Sequence, residues 1–328
     1  MKYSRTCVRF MLAAGLAACL AGQAGAAAAE AAYPSKPIRL IVPFPPGGGG
    51  DKLGRLLSEP LAKALGTNVV VENQGGANGN IALQTVARAE PDGYVLGLTL
   101  VDHIGVNPFI HKSLSYDPLK DFKPVGMVLS TPYVIVVDKA NGPAALPELI
   151  DAAKANPGDV SIGYPTINIQ MSMLELQRRS ATKLNLIPYR GIAQGMPDLL
   201  GGRLDAWVGT SVSMRGLIEG GKVRGLGVTS SQRSPALPDL PTVAELGYPG
   251  YEQVTWYGIL APAGTADPVI AKLNAALNDV LRTPAVKAEI ERDGAMVLGG
   301  PADEFMTALR ADMQRLGPMI EAAGVGAQ

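Results

Sequence analysis

Gly47-Gly48-Gly49-Gly50 stands directly before Asp51 and follows Pro37 to Val42, an apolar run with β-branched residues and a buried-strand pattern. Asp51 opens a helical pattern with Leu53, Leu56, Leu57 and Leu61 on one face. A glycine run between strand and helix lets backbone N–H groups approach a ligand with no side chain in the way. The helix behind it adds partial positive charge at its N-terminus. The chemistry such a pattern can do is to hold an anion; the plainer reading is a flexible turn. It is not a phosphate-binding P-loop, because no Gly-Lys-Ser/Thr follows, and Gly47 to Lys52 lacks the last glycine of G-x-G-x-x-G. Gly75-Gly76-Ala77-Asn78-Gly79-Asn80 is a second strand-to-helix glycine loop, more simply read as a turn that caps a helix at Asn80. Asp102-His103, after a predicted strand Tyr94 to Leu100, either meets a ligand or lies in a solvated polar loop.

Catalytic patterns are scarce. The chain has two histidines, His103 and His111, and no G-x-S-x-G. Ser211 and Ser213 follow a strand ending at Gly209-Thr210, but no histidine is near them in sequence. Asp117 and Asp121 sit in a stretch of turn character and read as solvated surface. The two cysteines, Cys7 and Cys19, both fall within the first 20 residues, which leaves the usual Cys/His zinc sites unavailable. No constellation calls for catalysis, a cofactor or a metal. With 29 basic and 29 acidic residues, the chain lacks the basic excess of a general nucleic-acid binder.

The N-terminus reads as an export signal. Lys2, Arg5 and Arg9 precede an uncharged apolar run, Phe10 to Leu20, and Ala24-Gly25-Ala26 is a small-residue cleavage pattern. Residues 1–26 are therefore expected to be removed, with cleavage falling as late as residue 32. Leu16-Ala17-Ala18-Cys19 also resembles a lipobox, and lipidation of Cys19 with residues 21–32 as a tether is the alternative. Both routes place the protein outside the cytoplasm, in the periplasm. No later stretch reaches the 18 uncharged apolar residues that a membrane span needs.

The remaining chain must position these loops. Its 328 residues, 47 % hydrophobic and 18 % charged, describe a globular protein of one large or two medium domains. Strand and helix patterns alternate from residue 37 to residue 228, and residues 267–323 are helical. Pro60 is expected to kink or restart the first helix. Val125 to Leu129 and Tyr133 to Val137 read as two strands. The pattern predicts two α/β lobes, 33–132 with 254–328 and 133–253, joined near Thr131–Val134 and Gln253–Gly258. A ligand then sits in the cleft at strand carboxyl ends, where helices begin.

An ordered series of short motifs carries a resemblance. Tyr33-Pro34-Ser35-Lys36-Pro37-Ile38-Arg39 leads into Val42-Pro43-Phe44-Pro45-Pro46-Gly47-Gly48, followed by Asp51 and Arg55. Val71-Glu72-Asn73, Gly79-Asn80-Ile81, Pro91-Asp92-Gly93-Tyr94, Asn107-Pro108, and Tyr116-Asp117-Pro118 with Asp121-Phe122 come next. Pro188-Tyr189-Arg190-Gly191, Leu200-Gly201-Gly202, Pro241-Thr242-Val243-Ala244-Glu245 and Trp256-Tyr257-Gly258 before Ala261-Pro262-Ala263-Gly264-Thr265 close the series. From Tyr33 to about Val325 the chain resembles the solute-binding proteins of tripartite tricarboxylate transporters, the Bug receptors.

The resemblance implies a two-lobed periplasmic binding fold, type II-like, each lobe a doubly wound sheet with flanking helices, closing on a small carboxylate. It also implies two facing loops that hold one carboxylate, here Phe44 to Asp51 and Gly163 to Gln170. Candidate ligand contacts are Phe44, Gly47, Gly48, Gly49 and Asp51 in the first loop and Thr166, Asn168 and Gln170 in the second. Asp102, His103, Thr210 and Trp256 complete the set. The expected partners are the carboxylate and membrane subunits of a transporter; a sensory receptor feeding a kinase is the alternative. A monomer is expected. The second loop, Gly163-Tyr164-Pro165-Thr166-Ile167-Asn168-Ile169-Gln170-Met171, lacks the family's later glycines and histidine, and Gly209 stands where an acidic residue is common. These departures point away from small dicarboxylates and toward an aromatic or more apolar acid.

Overall fold

The computed structural model describes residues 33–325, so the export signal, Cys7 and Cys19 lie outside the described residues. Strand β1 (Ile38–Val42) is nearly all buried and pairs in parallel with β2 (Val69–Asn73) on one side and β3 (Val95–Leu100) on the other. Between β1 and β2 runs helix α1 (Gly49–Leu65). Leu53, Leu57, Leu61 and Leu65, spaced by one turn, bury its inner face. The helix runs unbroken through Pro60, contrary to the expected restart. One lost hydrogen bond is outweighed by the leucines on either side of it.

Helix α2 (Asn80–Ala87) leads into β3, and a π-helical turn (Asp102–Val106) and helix α3 (Asn107–Ile110) follow it. The next strand, β4, is one 17-residue element, Phe122–Asp138, where two strands were expected. Ser130-Thr131-Pro132 reads as a break, yet the fixed φ of proline lies within the extended region and Pro132 keeps its register with Val254. Strand β4 is the shared spine of the molecule. Its residues 122–132 pair with β9 (Val254–Pro262), and Leu129 and Ser130 also pair with β10 (Met296–Val297). Its residues 133–138 pair with β7 (Ala206–Thr210) and β8 (Val223–Val228).

Two sheets thus share one strand. The first runs β2-β1-β3-β9-β4; the second continues β4-β7-β5-β6, where β5 is Ser161–Tyr164 and β6 is Asn185–Pro188. Helices α4 (Leu146–Ala155), α5 (Ile167–Ser180), α6 (Ile192–Leu200) and α7 (Ser211–Glu219) cover the second sheet. Helices α8 (Asp267–Arg282), α9 (Pro284–Arg292) and α10 (Ala302–Ala322) return to the first. Each sheet is buried on both faces by its own apolar clusters, which makes two cores. Helix α5 bridges them: Met171 is buried in one cluster with Val101, Ile104 and Phe305 of the first lobe. Helices α1, α5 and α7 each begin at or just beyond the carboxyl end of a strand, which is where this architecture binds ligands. No helix among the described residues is long and apolar enough to cross a membrane.

Candidate functional site

Asp51 shapes the first loop. It lies in the first turn of α1 and is 5 % exposed. Its carboxylate accepts from the Gly47 N–H at 2.9 Å, Asn73 Nδ2 at 2.9 Å and Arg55 Nε at 3.0 Å. Asn73 Nδ2 also donates to the Phe44 carbonyl at 3.1 Å. Desolvation pushes the Asp51 carboxyl upward, but the bonds from Arg55, the Gly47 N–H and Asn73 outweigh it and hold it below the usual carboxylate range. Both oxygens already accept from the loop and its helix, so Asp51 braces residues 44–47 and offers little to a ligand.

The four glycines divide by role. Gly47 has φ +83°, a left-handed conformation that favours glycine. A Cβ at Gly50 would lie 2.0 Å from the Phe44 ring, so only glycine lets that ring pack on the helix. Gly48 and Gly49 are different. Gly48 is extended (φ −81°, ψ 169°), and a Cβ there would meet only the Pro45 carbonyl, at 3.5 Å. A Cβ at Gly49 would touch Val212 Cγ1 of α7 at 3.6 Å, across the cleft. No side chain caps α1, and the first amides of a helix have no partner within it. Gly48 and Gly49 therefore leave the start of α1 uncovered where it meets the opposite lobe.

Phe44 extends the wall of this site. Its ring lies 5.3 Å from that of His103 and 6.1 Å from that of Tyr257. His103 is buried, Nδ1 accepts from the Leu100 N–H at 3.4 Å, and burial pushes its pKa down to about 3. It is neutral near pH 7 and brings no positive charge to an anion. The second glycine loop makes room for it, since a Cβ at Gly79 would lie 2.5 Å from His103 Cδ2.

Asp102 and His103 do not form a solvated loop. Asp102 is 1 % exposed, and its Oδ1 accepts from the Asn168 N–H at 2.9 Å, at the start of α5 in the second lobe. The Thr166 hydroxyl faces the same carboxylate, and burial raises its pKa to about 6. Asn168 donates through Nδ2 to the Tyr133 hydroxyl at 2.7 Å. Asn168 Oδ1 and Gln170 Oε1 are buried without a partner among the described residues. Thr210 ends β7 and precedes α7, its hydroxyl 3.1 Å from that of Ser213. Trp256 uses its indole N–H on Asp312 Oδ2 at 2.7 Å and packs edge-on against Phe305 at 5.1 Å. Asp102, Thr166 and Asn168 come together directly; Gly49 comes instead against Val212 of α7.

These features agree with the comparison to known proteins. The profile of TctC, the tripartite tricarboxylate transporter family receptor, matches residues 53–325. The chain belongs to this family. It is similar to Protein BugT of Bordetella pertussis (strain Tohama I), 34 % identical over 319 residues, 96 % of this chain and 98 % of BugT. Its fold is similar to that of the periplasmic binding protein BugD, with TM-score 0.82 and 35 % identity over 90 % of this chain and all of that one. It is also similar to R. palustris Rpa4515 with adipate, with TM-score 0.86 and 29 % identity over 90 % and 100 % of the two chains. The two-lobed fold of periplasmic binding proteins is therefore that of this family member.

Sequence reasoning missed part of this TctC-family cleft. A cavity of about 460 Å³ opens between α1 and α7, lined among others by Lys52, Ser213, Arg215, Arg292 and Asp293. Lys52 of α1 pairs with Asp293, which follows α9, and Arg215 of α7 reaches the same carboxylate at 3.5 Å. Arg215 also pairs with Glu219 at 2.7 Å, while its Nε is buried without a partner among the described residues. Lys52 and Asp293 are 241 positions apart, so no local pattern signals the pair. Ser213 was visible only as a serine without a histidine.

Proposed function

We propose that this protein is an exported solute-binding receptor that captures a small carboxylate between its lobes and presents it to a tripartite tricarboxylate-type transporter, without catalysing a reaction. The observation that carries the reading is the uncapped start of α1, where Gly48 and Gly49 leave backbone amides open against the opposite lobe. A helix N-terminus with free amides favours an anion. The adipate of Rpa4515, a six-carbon diacid, supports a carboxylate as the ligand class. Three charge-assisted hydrogen bonds at about 1.5–3 kcal/mol each give roughly 5–9 kcal/mol gross. Micromolar affinity needs about 8 kcal/mol net, so Phe44, Tyr257 and the rest of the cleft must contribute.

The lobes divide at residues 132/133 and 253/254, where β4 changes partners and where the Gln253 N–H reaches back to the Thr229 carbonyl at 2.8 Å. Closure rotates the lobes about these two crossings. Export rests on the first 26 residues, and the mature protein is a periplasmic monomer unless Cys19 is lipidated. Protein purified natively from the periplasm, then denatured, should release a carboxylic acid identifiable by mass spectrometry in near-stoichiometric amount. A neutral sugar or a cationic solute in its place would contradict the reading.

A further inference from the structure

The start of α5 already holds an anion, and that anion is part of the protein. Thr166 precedes the helix and makes no side-chain cap. Its first turn is satisfied from the other lobe, by the carboxylate of Asp102 on the Asn168 N–H at 2.9 Å, with the Thr166 hydroxyl beside it. We propose that Asp102 supplies the anion for the second-lobe end of the cleft, so that the ligand brings a single carboxylate, held at the start of α1, and not a diacid that reaches both helices. This deepens the receptor reading above and rests on it.

The charges around the two helix starts support this. At α1, Asp51 is balanced by the Arg55 guanidinium, 3.0 Å away. At α5 no cation among the described residues contacts Asp102. His103 beside it is neutral near pH 7, Tyr133 of β4 and Tyr257 of β9 keep their protons through burial, and Asp312 of α10 adds a repulsive negative charge. Arg315 of α10 is engaged with Asp312 at 2.8 Å. The buried carboxylate is therefore held by the amide and dipole of α5 and by the Thr166 hydroxyl. Its raised pKa, about 6, still leaves it ionised above neutral pH. A second ligand carboxylate at α5 would have to share those donors with Asp102. In a medium of intermediate dielectric, two like charges within about 6 Å cost more than a factor of ten in affinity.

The test uses acids matched in carbon number and differing by one carboxylate: butanoate with succinate, hexanoate with adipate, octanoate with suberate, and 4-methylbenzoate with terephthalate. Each is titrated calorimetrically at pH 8 into the full mature chain and into Asp102→Ser and Asp102→Asn, after circular dichroism has shown that both variants are folded. Asp102→Ser vacates the helix end; Asp102→Asn removes the charge but keeps the shape. In the wild type, every pair that binds should favour the monoacid by roughly tenfold or more. Asp102→Ser should reverse that order, and Asp102→Asn should narrow it. A wild-type preference for the diacid, or an unchanged order in Asp102→Ser, overturns the inference and leaves the receptor reading intact. If none of the eight acids binds either the wild type or Asp102→Ser, both the receptor reading and this inference fall.

Discussion

Asp51→Ala is expected to abolish carboxylate binding and to lower stability by about 2–3 kcal/mol, because it strips a buried acceptor from three donors at once. The Gly47 N–H and Asn73 Nδ2 lose a partner, and the turn from Phe44 to Gly47 loses its tie to α1. The Arg55 part of the loss is small, because that side chain is 59 % exposed and water takes over its charge. The loop would then sample other conformations, the Gly48 N–H would lose its hold on the Pro45 carbonyl at 3.4 Å, and the open amides of the first turn of α1 would no longer face the cleft together. Asp51→Asn should be milder, since its amide oxygen can still accept from Gly47. Chemical denaturation gives the stability change, and titration of an acid that binds the wild type gives the affinity. Wild-type affinity in Asp51→Ala would show that the loop keeps its shape without this brace.

Gly195→Ala should cost about 3 kcal/mol, at the upper end for overpacking in a filled core. A Cβ there would lie 1.8 Å from Trp207 Cζ3 and 2.5 Å from Cε3. Trp207 is fully buried on β7, with Tyr189 edge-on at 5.5 Å, so the indole has nowhere to retreat. Gly163 of the neighbouring strand β5 faces the same ring, with a Cβ contact of 2.6 Å. The clash belongs to the second lobe's core, so heat or denaturant should reveal it whether or not ligand is present. Trp207→Phe in the same chain should recover part of the loss by shortening the ring. A Gly195→Ala variant as stable as the wild type would mean that α6 can slide away from β7 at little cost.

The loop before α1 was legible because its signal is local, whereas the one before α5 was marked only by the family resemblance. A glycine run between a strand pattern and a leucine stripe is written in about fifteen consecutive residues, 42 to 57, and the structure places α1 there. The two-lobed α/β architecture followed from alternating periods in the same way. What escaped depends on partners distant in sequence. Asp102 reads as loop polarity until α5, 66 residues further on, presents the Asn168 N–H to it. Asp51 reads as a ligand contact until Asn73 arrives at the end of β2. The continuity of β4 across Thr131-Pro132 was hidden for a related reason, since β9, more than a hundred residues later, supplies the register that makes one strand of two. Trp256, expected among the ligand contacts, has its indole N–H on Asp312, 56 residues further on.

If the start of α1 holds the ligand's carboxylate, Gly48→Val should disturb every ligand. The extended conformation of Gly48 suits valine, so the backbone can stay in place while a branched side chain covers the open amides. The measurement is calorimetric titration of the acid released from the native protein into the wild type, Gly48→Val, Thr166→Ala and Gln170→Ala, repeated with the same panel of acids for each. One ligand per wild-type chain is expected, and a loss of affinity for every acid alike in Gly48→Val. Thr166→Ala and Gln170→Ala should instead reorder the acids, by about 1–3 kcal/mol where a buried hydrogen bond is lost. Wild-type affinities in Gly48→Val, or a reordering there while Thr166→Ala and Gln170→Ala weaken all acids equally, would contradict that placement of the carboxylate.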